Sequence, residues 1–240
     1  MRLLSFQPFS LFTNGGGSRI LRRLYLGHEF EVVSLVVSQD GNFGPIGNIK
    51  EIFILASPIQ REWMRWKMRM WVTWLRYNIF RMRTVNQIRE AAKNIPHDIL
   101  HVVNHGPFSN VLCDDAIKEG KTIWVSFHDH FLTCDSSFEV TNELWIKSER
   151  RFLISNEMGW EYQRLFGNKP FELITDGVFN SEISKPQGYR KKPLIVYFAG
   201  LLHIDYLPLF QCLANALDLM SGQGFHLKLV LRGTQDLPFL

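Results

Sequence analysis

Residues 97–130 read HDILHVVNHGPFSNVLCDDAIKEGKTIWVSFHDH. Residues 97–105 form an apolar run with a loop-like start. Residues 108–119 have helical character and are closed by Gly120, and residues 122–127 form a second apolar, β-branched run. A strand, a helix and a second strand in that order make a crossover unit with parallel strands, not a hairpin. The same alternation extends in both directions. Upstream, strands are expected at 3–9, 30–37 and 51–56. A helix carrying Ile20, Leu21, Leu24 and Tyr25 lies between the first two. Downstream, helices are expected at 138–148 and 157–166, the second capped by Ser155 or Asn156 and ended by Gly167. Strands are expected at 151–155 and 171–175. The fold class is therefore α/β: a Rossmann-like parallel sheet with helices on both faces.

Residues 180–193 (NSEISKPQGYRKKP) break the alternation. They are polar, hold two prolines and have no apolar periodicity, which reads as a linker. Strand, helix and strand follow at 194–199, 207–220 and 227–231. The expected organisation is a domain over 1–179, a linker over 180–193, and the truncated start of a second Rossmann-like domain over 194–240.

Composition excludes several classes. Of 240 residues, 46% are apolar and 21% charged, which suits a globular chain and not a disordered one. No apolar run reaches the roughly 18 residues of a membrane span. The first ten residues hold one Arg and lack a small-residue cleavage site, so no signal peptide is expected. Three distant cysteines give no disulfide framework, and a reducing cytoplasm is the expected compartment.

The net charge of +4 is unevenly placed. Residues 61–83 (REWMRWKMRMWVTWLRYNIFRMR) hold seven Lys/Arg and one Glu, a local charge of +6, so the rest of the chain sums to −2. Wound as a helix, this segment puts Arg61, Arg65, Arg69, Arg76 and Arg83 on one stripe. Trp63, Trp66, Met70, Trp74 and Tyr77 fall on the opposite side. A basic stripe beside a Trp/Met face suits an interfacial helix on anionic lipid, with Arg65, Arg69, Arg76, Trp63 and Trp74 as membrane contacts. It equally suits a surface helix docked by its apolar face. No nucleic-acid-binding motif accompanies the charge, and no nucleic-acid partner is expected.

In parallel sheets ligands gather beyond the carboxyl ends of the strands. Three places there carry chemistry. Asn14-Gly15-Gly16-Gly17-Ser18 joins the first strand to the first helix. Its glycines allow close backbone approach, and the helix start offers free N–H groups to a phosphate. Ser126-Phe127-His128-Asp129-His130 ends a central strand, where His128 can bind a sugar hydroxyl, move a proton or ligate metal. Ser155, Glu157, Asp176 and Gly177 fall at later strand ends and are candidate cleft residues. Asp114-Asp115 reads as a solvated helical pair. No nucleophile elbow, kinase motif or zinc signature is present.

In order and spacing, four pieces resemble the family 4-like glycosyltransferases of the GT-B fold. They are LFTNGGGSRILRRLY, the 98–131 stretch ending in "HDHF", RFLISNEMGWEYQRLFGNKPFELITDGV, and PLIVYFAGLLHIDYLPLF. The resemblance implies transfer of a sugar from a nucleotide-sugar to a glycan or lipid-linked acceptor, without metal or other cofactor. It implies a peripheral location at the inner face of the membrane and a role in cell-envelope polysaccharide synthesis. Carried over by position, Gly15, Gly16 and Gly17 would approach the donor diphosphate. His128 would contact the donor sugar near the reaction centre as the catalytic residue. The sequence departs from the family in the second domain. Leu201-Leu202-His203 stands where a basic pair would clamp the diphosphate, and the family's E-x7-E segment is absent. Two rival readings follow: a truncated, inactive or partner-dependent chain acting as a binding or membrane-docking module, and a small hydrolase-like or metal enzyme using His128, Asp129 and His130.

Overall fold

The computed structural model describes residues 1–13, 15–26, 28–37, 47–54, 71, 74–75, 78–175, 194–199 and 206–232. The chain divides into two compact units, Met1–Val178 and Phe179–Leu240.

The first unit holds seven strands: β1 (Arg2–Gln7), β2 (Glu31–Val36), β3 (Ile49–Phe53), β4 (Ile99–Val103), β5 (Thr122–Phe127), β6 (Arg150–Leu153) and β7 (Glu172–Leu173). They form one sheet in the order β3-β2-β1-β4-β5-β6-β7, and every pairing is parallel. The helices are α1 (Gly16–Tyr25), α2 (Arg81–Lys93), α3 (Cys113–Lys118), α4 (Phe138–Lys147) and α5 (Asn156–Phe166). This is the Rossmann-like α/β sheet that the alternation of elements predicts. The strand order reverses between β1 and β4, so the crevice for a ligand opens beyond the carboxyl ends of those two strands.

Side-chain alternation sorts the core into two layers. Leu4, Phe6, Leu100, Val102, Val125 and Phe127 face the layer of α2–α5. Leu3, Val32, Ile49, Ile99 and Val103 face Leu21 and Tyr25 of α1. Caps fix the helix ends: Ser137 Oγ accepts from Val140 N at 3.2 Å and Ser155 Oγ from Met158 N at 3.2 Å. Trp145 anchors the larger layer. It is fully buried, packs on Phe127 and Tyr162 at 5.9 and 5.8 Å between ring centroids, and donates from Nε1 to Gly167 O at 2.9 Å. Arg151 is buried beneath it. Its guanidinium donates to the Trp145 carbonyl at 2.6 Å and to that of Ser148, both at the carboxyl end of α4 where a cation is favoured.

Several elements differ from their sequence expectation. The third strand runs over 49–53, not 51–56. The helix expected over 108–119 starts only at Cys113, because 107–112 are taken up by successive turns. The 61–83 stretch, wound above as a single helix, is broken by a turn at Ile79–Phe80, and α2 starts at Arg81. Asp114 and Asp115 are ion-paired rather than simply solvated. Asp114 meets Lys147 at 2.5 Å and Asp115 meets Arg89 at 3.1 Å.

In the second unit, β8 (Leu194–Ala199) and β9 (Leu227–Arg232) pair in parallel. α6 (Leu207–Gly222) lies between them in sequence, and Phe198 meets Phe210 edge-on. No residue of α6 is buried. The expected linker residues 180–193 lie outside the described residues.

Trp145→Ala empties a dry site and is expected to cost about 3–5 kcal/mol in urea unfolding. Trp145→Phe keeps the ring packing and removes only the Nε1 bond, leaving the Gly167 carbonyl with its bond from Lys169 N at 2.9 Å, and is expected to cost about 0.5–1.5 kcal/mol. Equal losses in the two variants would show that the hydrogen bond, not packing, dominates.

Candidate functional site

The loop after β1 is built to present bare backbone. Gly15 is the N-cap of α1. It is extended and has no side-chain capping bond, and no acidic residue sits in the first helical turn. The N–H groups and positive dipole end of α1 are therefore not neutralised by the helix's own side chains. Ser10 fixes the loop's path. Its carbonyl accepts from Ser18 Oγ at 2.8 Å and Thr13 Oγ1 at 2.9 Å, and those two hydroxyls lie 2.6 Å apart.

The loop meets the end of β5. A Cβ placed on Gly17 would lie 2.9 Å from His128 Nδ1 and 3.1 Å from the Phe9 ring, too close for any side chain. One on Gly16 would meet nothing, and one on Gly15 would make only ordinary contacts. Of the three glycines, Gly17 is the one whose missing side chain the packing requires. His128 is 7% exposed, and neither ring nitrogen has a hydrogen-bond partner among the described residues. Burial, with a smaller effect from His105, pushes its pKa down to about 4, so the imidazole is neutral at pH 7. One nitrogen of a neutral imidazole donates and the other accepts, so both capacities are buried with no partner among the described residues.

The structure separates the remaining candidates. His130 turns to α5: its ring lies tilted on Phe131 at 4.4 Å, and Nε2 lies 3.6 Å from Glu161 Oε2, too far for a hydrogen bond and without another partner among the described residues. His128 and His130 do not converge, and the described residues contain no group of three or more His, Cys, Asp and Glu suited to a metal ion. Asp129 is exposed. Ser155 spends its hydroxyl capping α5, and Glu157 is exposed in that helix's first turn. Asp176 and Gly177 lie outside the described residues, as do Trp63, Arg65, Arg69 and Arg76. Trp74 is described and exposed, as is Trp71. No described helix is long and apolar enough to cross a membrane.

Sequence reasoning missed three contributors. Phe9 walls the Gly17–His128 contact. Asn104 holds the turn after β4, donating to Thr141 Oγ1 at 3.0 Å and accepting from Ser136 Oγ at 2.7 Å. Glu51 anchors the glycine loop from β3: its carboxylate accepts from Ser10 Oγ at 2.6 Å and Leu11 N at 2.8 Å. The available signal was a set of polar residues (Ser5, Ser34, Glu51, His101) inside otherwise apolar strands.

No protein-family model matches the chain, and no curated protein matches it in sequence. Among solved structures, the chain is similar to a UDP-glucosyltransferase from Polygonum tinctorium, described as capable of glucosylating indoxyl and 3,4-dichloroaniline. Identity is 10% over 85% of this chain, with a TM-score of 0.44. The chain spans 61% of that protein's length.

Gly17→Ala is expected to displace the His128 ring and shift its imidazole NMR resonances, while Gly16→Ala leaves them in place. Equal spectra for the two variants would deny the close contact. Histidine titration supplies a second check. Burial and, to a lesser degree, His128 hold His101 at about 3, and His128 itself lies at about 4, whereas unfolded imidazole titrates near 6.5. As pH falls below about 6.5, the unfolded chain takes up these protons first. Stability is therefore full above about 6.5 and declines toward pH 4, at up to about 1.4 kcal/mol per pH unit for each histidine. Urea unfolding of His128→Asn between pH 6.5 and 4.5 should show a slope shallower by about one proton.

Proposed function

We propose that this chain is a glycosyltransferase, or part of one, that moves a sugar from a nucleotide-sugar to a glycan or lipid-linked acceptor. The observation that carries the reading is the contact between Gly17 and His128. It joins the two motifs that the family resemblance assigns to the donor, beside the crevice where the strand order reverses. The loop offers backbone N–H groups at a helix start, which suit a diphosphate and can stabilise charge developing on a leaving nucleotide. His128, neutral and with both nitrogens unpartnered, suits a sugar hydroxyl: one nitrogen donates and the other accepts. Its low pKa argues for hydrogen bonding and orientation rather than acid catalysis at neutral pH.

On this reading no metal or other cofactor is required. Leu201-Leu202-His203, in place of a basic pair, gives a weak donor clamp. Trp71, Trp74, Ile79 and Met82 are exposed together on a basic stretch and would bring the protein to an anionic membrane carrying a lipid-linked acceptor.

The test is titration calorimetry with UDP-, GDP- and ADP-sugars, followed by a donor-hydrolysis assay on any that bind. We expect one nucleotide class to bind, and His128→Ala to lower turnover by about a hundredfold or more with little change in nucleotide affinity. Absence of binding to every nucleotide-sugar would sink the proposal. Stoichiometric metal in the purified protein would favour the metal-enzyme reading instead.

A further inference from the structure

A continuous polar chain crosses the sheet on its α1 face. Ser5, Ser34, Glu51 and His101 share one register row across β1, β2, β3 and β4. Gln7, Tyr25 and Ser126 join it, and of all seven only Glu51 is not fully buried. A carboxylate only accepts hydrogen bonds, so Glu51 fixes the direction of every proton behind it. Ser34 Oγ donates to Glu51 Oε1 at 2.9 Å and accepts from Gln7 Nε2 at 2.6 Å. Gln7 Oε1 accepts from Ser5 Oγ at 2.7 Å. Ser5, its proton spent, accepts from Tyr25 Oη at 2.9 Å. Tyr25 must then accept from His101 Nδ1 at 2.6 Å, and His101 Nε2 accepts from Ser126 Oγ at 2.8 Å.

Both ends of this chain reach the candidate site. Ser126 precedes His128 by two residues and shares its side of β5. Glu51 holds Ser10 and Leu11, and the Ser10 carbonyl holds Ser18 and Thr13 around the glycine loop. We propose that Glu51 is the positioning residue of the site: it clamps the loop that carries Gly15–Gly17 and, through the chain it terminates, sets His101 in the Nδ1–H tautomer and turns the Ser126 proton onto His101. The ligand of the loop rests on the glycosyltransferase reading; the positioning does not.

Two measurements separate these. The first uses 15N NMR without ligand. In the wild-type protein His101 is expected with Nδ1 protonated, and the Gly15–Gly17 amides with order parameters near 0.85. Glu51→Ala should drop those three below about 0.6 and leave residues 150–166 unchanged. Glu51→Gln keeps an oxygen for Ser34 and Leu11 and should stay close to wild type. If Glu51→Ala does not fold, Ser10→Ala, which removes the hydroxyl's two bonds, to Glu51 and from Phe12 N, should loosen the same amides. Unchanged loop order parameters in the folded variant, or His101 in the Nε2–H tautomer, would overturn the proposal. The second measurement titrates UDP, GDP and ADP into the same samples. Affinity should fall about tenfold in Glu51→Ala and less than about twofold in Glu51→Gln. For a nucleotide that the wild type binds, equal affinity in Glu51→Ala also overturns the positioning role. A wild-type protein that binds none of UDP, GDP and ADP while Glu51→Ala loosens the loop would defeat the functional reading and leave the positioning intact.

Discussion

A parallel sheet buried on both faces can carry polar side chains in its middle only if each finds a partner, because an orphaned buried donor or acceptor costs about 1–3 kcal/mol. The row across β3, β2, β1 and β4 meets that demand through one acceptor, the Glu51 carboxylate, and one long donor from outside the sheet, Tyr25. This constraint settles where α1 sits. Leu21 supplies the helix with apolar burial, but apolar contact alone is tolerant of sliding. The Tyr25 hydroxyl, held between Ser5 and His101, is not. With its last residue pinned over the centre of the sheet, the first turn of α1 is delivered to the end of β5, where Gly17 meets His128.

Against that satisfied background, His128 stands out. His101, one strand over, is fully buried and has a partner on each nitrogen, whereas His128 is nearly as buried and has none among the described residues. Both rings are kept neutral by burial, so the difference lies in the surroundings and not in protonation. Burial without partners is a cost that structures keep where a ligand supplies the missing bonds. The absence of a side chain on Gly17 keeps one of those nitrogens within reach of the loop backbone.

The alternation of short β-branched runs with helical stretches made the sheet legible, since parallel strands require a crossover. The strand ends also pointed to Gly15–Gly17 and His128 separately. Their contact was not legible, because Gly17 and His128 are 111 positions apart and only the strand order closes that distance. Helix 113–118 was overextended because residues 108–112 carry a helical apolar pattern, yet they are used in turns, with Ser109 tied to Asn104 and Gly106. Glu51 was read only as the first residue of a strand. A charged residue between Lys50 and Ile52 carries no sign of which loop it will hold.

The electrostatics of the site also limit its chemistry. On the proposed reading, negative charge grows on a departing nucleotide, and the described residues around the loop, where Arg22 donates to the Leu11 carbonyl at 3.2 Å, meet it with two groups. What they offer is the start of α1, left without an acidic neighbour in its first turn, and a neutral imidazole. A charged His128 would help neutralise a diphosphate, but burial has traded that away for a group that can both donate and accept. The site is therefore better suited to orienting a polyhydroxy ligand than to neutralising it. Loop geometry then carries the electrostatic share, because backbone dipoles act at short range and only when held still. That places the weight of function on Glu51 and Ser10, two residues that touch no ligand and fix the loop that would.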